Sequence, residues 1–276
     1  MIRGFGILYL ISIAAIIVQF NFYFTIQEVV LIIVSVVLGF FDDKVNISQK
    51  HKVLTLTLFY IIFSFFKFTD LNIYNLIYSY FAFIFLVLFF NQIDGIDGLA
   101  GSNFLIVLFL FVFYMGGGFI LAPIFLVTII YLYFNLFTKI GIQGESGSFF
   151  FGSVAYILFI EKSHLFFDFK HLIFFGPVLF DICFTTIVRY LFGENIFLGH
   201  RNNLYQKLSS RYKNNILIIT CFGISQLIFS FIYIYLDLNS NYFFEIFYFA
   251  LYCILLSILF ITISYKIQTK KYLNLK

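Results

Sequence analysis

Residues 91–102 read NQIDGIDGLAGS and separate two long apolar runs at 74–91 and 103–118. The stretch holds three glycines and two carboxylates, Asp94 and Asp97. A charged side chain at the centre of a bilayer costs about 2.5 kcal/mol or more on insertion scales. These acids must therefore lie at a water-exposed mouth of the two runs or have partners, and the apolar runs beside them decide the fold class.

The composition is that of an integral membrane protein. Apolar residues make up 62% and charged residues 11% of the 276 residues, and the mean hydropathy is +1.02, which lies outside the range of soluble domains. The formal charge of +4 favours cytoplasmic loops that face anionic head groups over a nucleic-acid-binding protein. Cys183, Cys221 and Cys253 lie singly in apolar runs, which argues against disulfides and zinc sites.

Ten apolar segments approach the length of a membrane span, about 20 residues. They lie at 4–24, 26–41, 53–66, 74–91, 103–118, 119–137, 148–161, 171–192, 214–236 and 242–266. We therefore expect an all-α, polytopic membrane protein of about ten transmembrane helices, with residues 1–276 forming one domain. With both termini in the cytoplasm, only three of the 17 basic residues, Lys67, Lys162 and Lys170, fall in outward connections, as the positive-inside rule requires. In this orientation the polar segments collect at the cytoplasmic face.

The first of these segments, GFFDDKVNISQKHK at 39–52, ends an apolar helix with Asp42 and Asp43. An ordinary charged helix end would explain the pair by itself. Adjacent carboxylates repel unless a cation lies between them, so a phosphate and metal site is the alternative, with Lys44, Lys50 and Lys52 supplying positive charge.

The second segment is the one at 91–102. If residues 94–97 form a helical turn, Asp94 and Asp97 face one side of it; if the glycines break the helix, the backbone can approach a ligand closely. Either geometry suits Mg²⁺ held together with substrate phosphates, because Mg²⁺ prefers few carboxylates and fills its remaining positions with phosphate or water.

The third segment, IGIQGESGS at 140–148, places Glu145 among small residues at the start of an apolar run. A helix N-terminus with Gly and Ser is an anion site, and an adjacent carboxylate can hold a bridging metal ion. A plain N-cap followed by a first-turn acid is the alternative.

The fourth segment starts inside an apolar run, where Asp181, Thr185 and Arg189 recur every four residues and form one polar stripe on a helix. The following sequence HRNNLYQKLSSRYK offers a phosphate clamp, an aromatic face and an amide, which are the usual means of holding a nucleotide. These groups belong to His200, Arg201, Tyr205 and Gln206. A basic loop alone would be explained by the positive-inside rule, but an intramembrane Asp and Arg would not.

In this order, the four motifs resemble those of the polyprenyl-phosphate N-acetylhexosamine-1-phosphate transferases, glycosyltransferase family 4. They are D-D at a helix end, N-x-x-D-G-I-D-G-L-A, G-[acid]-x-G-S and H-R-x-x-x-Y-Q. The family includes lipid I synthase and the undecaprenyl-phosphate GlcNAc-1-phosphate transferases. The second and fourth motifs are similar to those of the branch that initiates lipopolysaccharide O-antigen biosynthesis.

The resemblance implies a Mg²⁺-dependent enzyme of the bacterial inner membrane that transfers N-acetylhexosamine-1-phosphate from a UDP-sugar to undecaprenyl phosphate and releases UMP. It implies catalytic acids at Asp42, Asp43, Asp94 and Asp97. It places metal ligands at Asp97 and Glu145. It places substrate contacts at Asn91, His200, Arg201, Tyr205 and Gln206. Charge alone adds Lys44, Lys50 and Arg189, because two anionic substrates meet only if cations screen them. A homodimer is left open.

The chain departs from the family pattern in four places. It opens MIRGFGIL, as if within the family's P-T-x-R-G-G-G segment, so we expect a first helix to be missing through truncation or a misassigned start. Leu88 stands at a common Asn position, Glu145 at the usual Asp and Asn203 at a common His. Two other interpretations stay open: an inactive member of the same fold, and a transporter with intramembrane ionisable residues.

Overall fold

The computed structural model of the chain describes residues 2–3, 6–19, 23–67, 73–115, 118–138, 141–142, 144–162, 169–196, 198–238 and 242–273. The chain forms two compact units, Met1–Phe167 (unit 1) and Asp168–Lys276 (unit 2). The single transferase domain expected from the sequence stays a prediction.

Unit 1 is built from seven α-helices over its described residues. They are α1 (Gly6–Gln19), α2 (Ile26–Val45), α3 (Gln49–Lys67), α4 (Ile73–Ile93), α5 (Leu99–Met115), α6 (Ala122–Tyr133) and α7 (Gly144–Tyr156). A 3₁₀ turn precedes α6 (Gly118–Leu121), and π-helical turns extend α6 (Phe134–Thr138) and α7 (Ile157–Lys162). A two-residue parallel pairing of β1 (Ile2–Arg3) with β2 (Gly141–Ile142) is the other regular structure described in this unit.

Unit 2 contains four α-helices over its described residues, preceded by a 3₁₀ turn (Phe169–Phe175). They are α8 (Gly176–Leu191), α9 (Leu204–Tyr212), α10 (Asn215–Leu238) and α11 (Tyr242–Leu273). The short helix α9 was not predicted from the sequence, because its residues were expected to form a basic loop.

Each of the ten predicted apolar segments coincides with a helix over its described residues, so the all-helical class is confirmed. Within the described ranges, four helical segments are long and apolar enough to cross a membrane: Leu76–Ile93, Phe119–Thr138, His171–Leu191 and Asn215–Asp237. Three shorter apolar helices accompany them: Leu8–Gln19, Leu99–Tyr114 and Ala250–Ile263. The count of ten spans and their orientation stay predictions.

Helix α7 is the centre of unit 1. It packs against α1, α2 and α4, and every side chain from Ser146 to Tyr156 is buried. Its sequence GESGSFFFGSVAY lacks a broad polar face, as expected of a helix that is buried on all sides. The ring of Phe151 stacks on Phe104 of α5 at a centroid distance of 4.1 Å, and Phe150 stacks on Tyr9 of α1 at 4.6 Å.

Two glycines allow the close approach of α7 to its neighbours. A Cβ added to Gly39 of α2 would lie 2.6 Å from the backbone of Glu145 and Ser146. A Cβ added to Gly152 of α7 would collide with the backbone of Val87 in α4. Because backbone atoms cannot swing aside as the end of a flexible side chain does, these positions require glycine.

Helices α2 and α3 form a hairpin that carries a Lys–carboxylate pair at each end. At the N-terminus of α2, Lys67 Nζ lies 2.7 Å from Glu28 Oε1, and Glu28 also forms a capping box with Thr25. At the opposite end, Lys52 pairs with Asp42. Both carboxylates are buried, so each needs its cation.

Unit 2 holds α10 against the turn that leads into α8. The buried Gln226 side chain donates a hydrogen bond of 2.6 Å from Nε2 to the carbonyl of Phe174. Gly176 follows with a φ of +66°, and a Cβ there would lie 2.7 Å from the Gln226 side chain. On the other side of α8, the ring of Phe184 packs against the ring of Phe260 in α11, with a centroid distance of 4.8 Å.

The glycine contact between α7 and α4 generates a stability prediction. Gly152→Ala is expected to cost about 1–3 kcal/mol by overpacking, because the new methyl group meets the Val87 backbone. Gly199→Ala is the matched control, since nothing lies within 4 Å of a Cβ at that position. The loss of monodisperse protein after heating in detergent measures both. Equal midpoints for the two variants would contradict the packing described for α7.

Candidate functional site

Asp42 lies buried at the end of α2, with 3% of its surface exposed. Its carboxylate pairs with the Lys52 ammonium and accepts a hydrogen bond of 2.6 Å from the Ile47 backbone N–H. Asn46 ends the helix in the left-handed conformation, and its N–H donates to the Asp42 carbonyl. The carboxylate therefore closes the α2–α3 turn as well as holding a cation.

Asp43 reaches from α2 to the N-terminus of α7. Its Oδ1 accepts a hydrogen bond of 3.0 Å from the Glu145 N–H, and Oδ2 accepts bonds of 3.4 Å from the N–H and hydroxyl of Ser146. The first N–H groups of a helix have no partner within it, so Asp43 caps α7 from a different helix. Gly144 has a φ of +67°, and a Cβ there would collide with the Asp43 carboxylate.

Glu145 lies in the first turn of α7, and one of its oxygens is left without a partner. Oε1 is 3.3 Å from Lys52 Nζ, whereas the buried Oε2 has no hydrogen-bond partner within the part of the chain that is described. Burial raises the pKa of Glu145 to about 7, opposed by the Lys52 cation and reinforced by Asp42 and Asp43. Near neutral pH this carboxyl group calls for a proton or a second cation.

Asp94 and Asp97 lie in the turn between α4 and α5, where Gly98 has a φ of +84°. Asp97 is exposed and Asp94 is half-buried. The pKa of Asp94 is raised well above its usual value, first by burial and then by the negative charges of Glu145, Asp43 and Asp97. The structure thus brings Asp94 of the second segment within electrostatic range of Asp43 in the first segment and Glu145 in the third.

Asn91 lies in the last turn of α4, before these acids. Its Nδ2 is buried and has no hydrogen-bond partner among the described residues. A buried amide donor without an acceptor costs about 1–3 kcal/mol, which makes Asn91 a candidate donor to a bound substrate.

Lys52 is the cation that pairs with two acids of this cluster, Asp42 and Glu145. Lys44 is exposed and lies 4.3 Å from the centroid of the Phe40 ring, and Lys50 is exposed as well. Both were expected to supply the positive charge together with Lys52. Lys52 enters the cluster because the short turn at 46–48 folds α3 back along α2, which brings residue 52 level with residue 42.

The donors of the cluster fit a hard divalent cation. Its ligands are carboxylate oxygens, which Mg²⁺ prefers, and the unpartnered Oε2 of Glu145 and the raised pKa of Asp94 both favour added positive charge. Over the described residues, no group of three or more His, Cys, Asp or Glu side chains is arranged as a complete set of metal ligands. A cation here would therefore have to be completed by phosphate or water.

In unit 2, Asp181 caps α9 as Asp43 caps α7. Oδ1 of Asp181 accepts a hydrogen bond of 2.8 Å from the Leu204 N–H, and Oδ2 accepts one of 3.0 Å from the Tyr205 N–H. Thr185 donates its hydroxyl to Oδ1 at 3.2 Å. Two members of the predicted polar stripe therefore anchor the short helix that the sequence analysis missed.

Arg189, the third member of the stripe, holds the segment between α8 and α9. Its Nε lies 2.8 Å from Glu194 Oε2, and Nη2 donates to the carbonyls of Asn195 and Leu198 at 2.8 and 3.3 Å. The side chain is buried. The Arg189 guanidinium thus fixes the segment between α8 and α9, with hydrogen bonds that a lysine could not reproduce.

The four loop residues have different environments. His200 is half-buried, and burial together with the Arg189 charge lowers its pKa, so its ring is neutral at pH 7. Arg201 is exposed. Tyr205 is fully buried, with its hydroxyl hydrogen-bonded to Asn203 at 3.1 Å, so it does not present the open aromatic face that was expected. Gln206 is half-buried, and its Oε1 has no partner among the described residues.

In a comparison with protein families, residues 25–163 match the model of glycosyl transferase family 4. The match covers half of the chain, lies within unit 1 and includes α2, α4 and α7, whose ends carry the acids described above. A comparison with curated protein sequences finds no match.

The shared cation of the cluster generates a second prediction. Lys52→Met is expected to cost about 3 kcal/mol or more, because it leaves Asp42 buried without a counter-charge. The double variant Lys52→Met/Asp42→Asn should recover part of that loss. Lys50→Met is the control, since Lys50 is exposed two residues earlier in the same helix. Thermal unfolding in detergent of the wild type, these three variants and the single variant Asp42→Asn tests this, and strictly additive effects of Lys52→Met and Asp42→Asn would refute the pairing.

Proposed function

The chain belongs to glycosyl transferase family 4, and from this premise we propose that it transfers N-acetylhexosamine-1-phosphate from a UDP-sugar to undecaprenyl phosphate. The family indicates a polyprenyl-phosphate sugar-1-phosphate transferase in general. The finer assignment rests on the motifs at 91–102 and 200–206, which are similar to those of the O-antigen-initiating branch. The product starts a lipid-linked cell-surface glycan, and UMP leaves.

The observation that carries the proposal is the cluster at the adjoining ends of α2 and α7. Asp42 and Glu145 come from segments a hundred residues apart and meet at the Lys52 ammonium group, and Asp43 accepts a hydrogen bond from the Glu145 N–H. An acidic cluster held this firmly, with one carboxylate oxygen unpartnered, is suited to a divalent cation bridging to a diphosphate.

Glu145, together with Asp94 or Asp97, would hold the magnesium ion, which family members generally require. When bound, it would neutralise charge on the diphosphate of the UDP-sugar. The glutamate is one methylene longer than the family's usual aspartate. Its Oε2, which has no partner among the described residues, and its negative charge, which raises the pKa of Asp94, favour a role as ligand in spite of that difference.

The acids of α2 fit positioning and electrostatic roles better than a covalent one. Asp43 uses both oxygens to accept N–H and O–H groups of α7, and Asp42 is paired with Lys52. Neither carboxylate is free to attack phosphorus. A phosphate monoester has a second pKa near 6 and is largely dianionic in the cytosol, so the acceptor needs no strong base.

Direct displacement follows from this. An oxygen of the lipid phosphate attacks the sugar-bearing phosphorus in line with the bond to the UMP oxygen, and that bond breaks as the new P–O bond forms. Asn91, with its unpartnered amide, would donate to a phosphate or sugar oxygen. On the nucleotide side, His200, Arg201 and Gln206 would contact UDP.

The proposal includes a location. The apolar helices indicate a membrane protein, and we place it in the bacterial inner membrane with both termini and the site on the cytoplasmic side, where UDP-sugars are made. Homodimer formation stays a prediction from the sequence. The family match disfavours the transporter interpretation.

A turnover assay tests the activity. The purified chain, incubated with undecaprenyl phosphate, Mg²⁺ and a panel of UDP-N-acetylhexosamines, is expected to release UMP with at least one sugar. Release should require both the lipid and the metal ion. Uptake of a solute by vesicles without UMP release under any of these conditions would reject the transferase proposal in favour of transport.

Substitution of the acids tests their roles. Asp97→Asn is expected to abolish transfer in a folded, membrane-inserted protein, and Glu145→Asp to retain it, because a carboxylate in the first turn of α7 is preserved. Asp237→Asn serves as the control for loss of one carboxylate at a helix end outside the cluster. Full UMP release by Asp97→Asn at ordinary Mg²⁺ concentration would show that Asp97 is not a residue of the site. An inactive Glu145→Asp variant would show that Glu145 does not act as the family's acid does.

A further inference from the structure

Unit 2 contains a cavity of about 530 Å³ between α8, α9 and α11. This volume lies in the range of small-molecule binding sites. Its wall is mixed in character: Arg189, Asn202 and Lys207 are among its polar residues, and Phe184, Phe192 and Phe260 are among its apolar ones. Such a wall suits a ligand with an anionic head and an apolar body.

The anionic head would meet a guanidinium that is already held in place. Arg189 is 6% exposed, and three of its N–H groups are used by Glu194 and by two backbone carbonyls. The two N–H groups on Nη1 have no acceptor among the described residues. Because its other edge is anchored, the side chain loses little further freedom when these donors bind a phosphate.

Lys207 supplies a second cation from α9. It is half-buried and lines the cavity. The acid in the lining, Glu194, is bound to the Nε edge of Arg189. Two cations and one carboxylate leave a net positive charge, which favours an anionic group.

The apolar body would lie against rings that continue toward the membrane. Phe184 and Phe260 contact each other across α8 and α11, and Phe192 lies at the rim with 82% of its surface exposed. The outer sides of the same two helices expose Ile187 and Ile258, in segments whose composition suits a bilayer. These apolar surfaces suit a ligand whose body comes from the hydrocarbon layer.

We propose that this cavity binds the acceptor lipid, with the phosphate of the polyprenyl phosphate on Arg189 and Lys207 and its first isoprene units against the phenylalanine wall. The inference rests on the proposed function and adds the location of one substrate. A terminal phosphate monoester carries nearly two negative charges and three free oxygens, enough to engage both cations. The phosphodiester of a bulk phospholipid carries one charge, and its second substituent would compete for the space beside Arg189.

Binding can be measured without turnover. The chain has no Trp, so Phe192→Trp at the rim provides a single fluorophore in every protein tested. Full-length protein in detergent is titrated with undecaprenyl phosphate, phosphatidylglycerol, UMP or inorganic phosphate, with no UDP-sugar present. We expect a saturable change in fluorescence with undecaprenyl phosphate, and a response at least about tenfold weaker with the other three.

Two variant pairs separate the cavity from its surroundings. Val188→Phe fills the cavity, and Ile187→Phe places the same aromatic ring at the neighbouring exposed position. Lys207→Gln removes a lining cation, and Lys213→Gln removes an exposed one after the same helix. The first member of each pair should raise the Kd for undecaprenyl phosphate by about tenfold, and the second should leave it unchanged. Arg189→Gln is avoided because it would remove the side chain that holds the segment between α8 and α9. None of the four changes above does so.

The possible results decide between sources of the anion. Equal affinity for phosphatidylglycerol would assign the cavity to bulk lipid, and tight binding of UMP would assign it to the nucleotide; either result overturns the proposal. So does an undecaprenyl phosphate titration that is insensitive to Val188→Phe and Lys207→Gln. UMP release by the wild type with no such binding would reject the lipid site and leave the transferase standing. Specific binding without UMP release under any condition would do the reverse.

Discussion

A helix N-terminus buried in apolar surroundings must find acceptors for its first N–H groups, and much of unit 1 follows from how α7 meets this requirement. Gly144, Ser146 and Gly147 of its first turn are buried, which leaves water little access to these groups. The Asp43 carboxylate of α2 accepts them instead. That contact demands a close approach of the two helices, which Gly39 and Gly144 make possible. The same approach brings Glu145 beside Lys52, so the acidic cluster is a consequence of capping a buried helix.

Unit 2 meets the requirement in the same way. Asp181 of α8 accepts the first N–H groups of α9, and Arg189 binds the carbonyls of the preceding segment. Asp181 and Arg189, which lie within an apolar span, thus hold the polar connection between α8 and α9 in place. Their burial cost is offset by the hydrogen bonds that each forms. Among the described residues, two donors of Arg189 have no acceptor, and Arg189 lines a cavity suited to an anion.

These contacts separate two kinds of acid that the motifs alone treat as equivalent. Asp43 and Asp181 are committed to backbone N–H groups and act through the helices that they cap. Glu145 and Asp94 have raised pKa values, and Glu145 keeps a free oxygen. Groups of the second kind are suited to bind a cation. For glycosyl transferase family 4 chemistry, the division means that geometry and charge come from acids of different motifs.

The sequence by itself determined the all-helical class, the positions of the ten apolar segments and the grouping of acids at their ends, because helical periodicity and the cost of burying charge are local properties. It also identified the polar stripe from Asp181 to Arg189, since residues four apart share a helix face. Only the tertiary structure decided that Lys52, rather than Lys44 or Lys50, enters the cluster, that Tyr205 is buried and that Asp43 is a cap. The short turn at 46–48 and the glycine contacts set these pairings, and no spacing along the chain encodes which helices will touch.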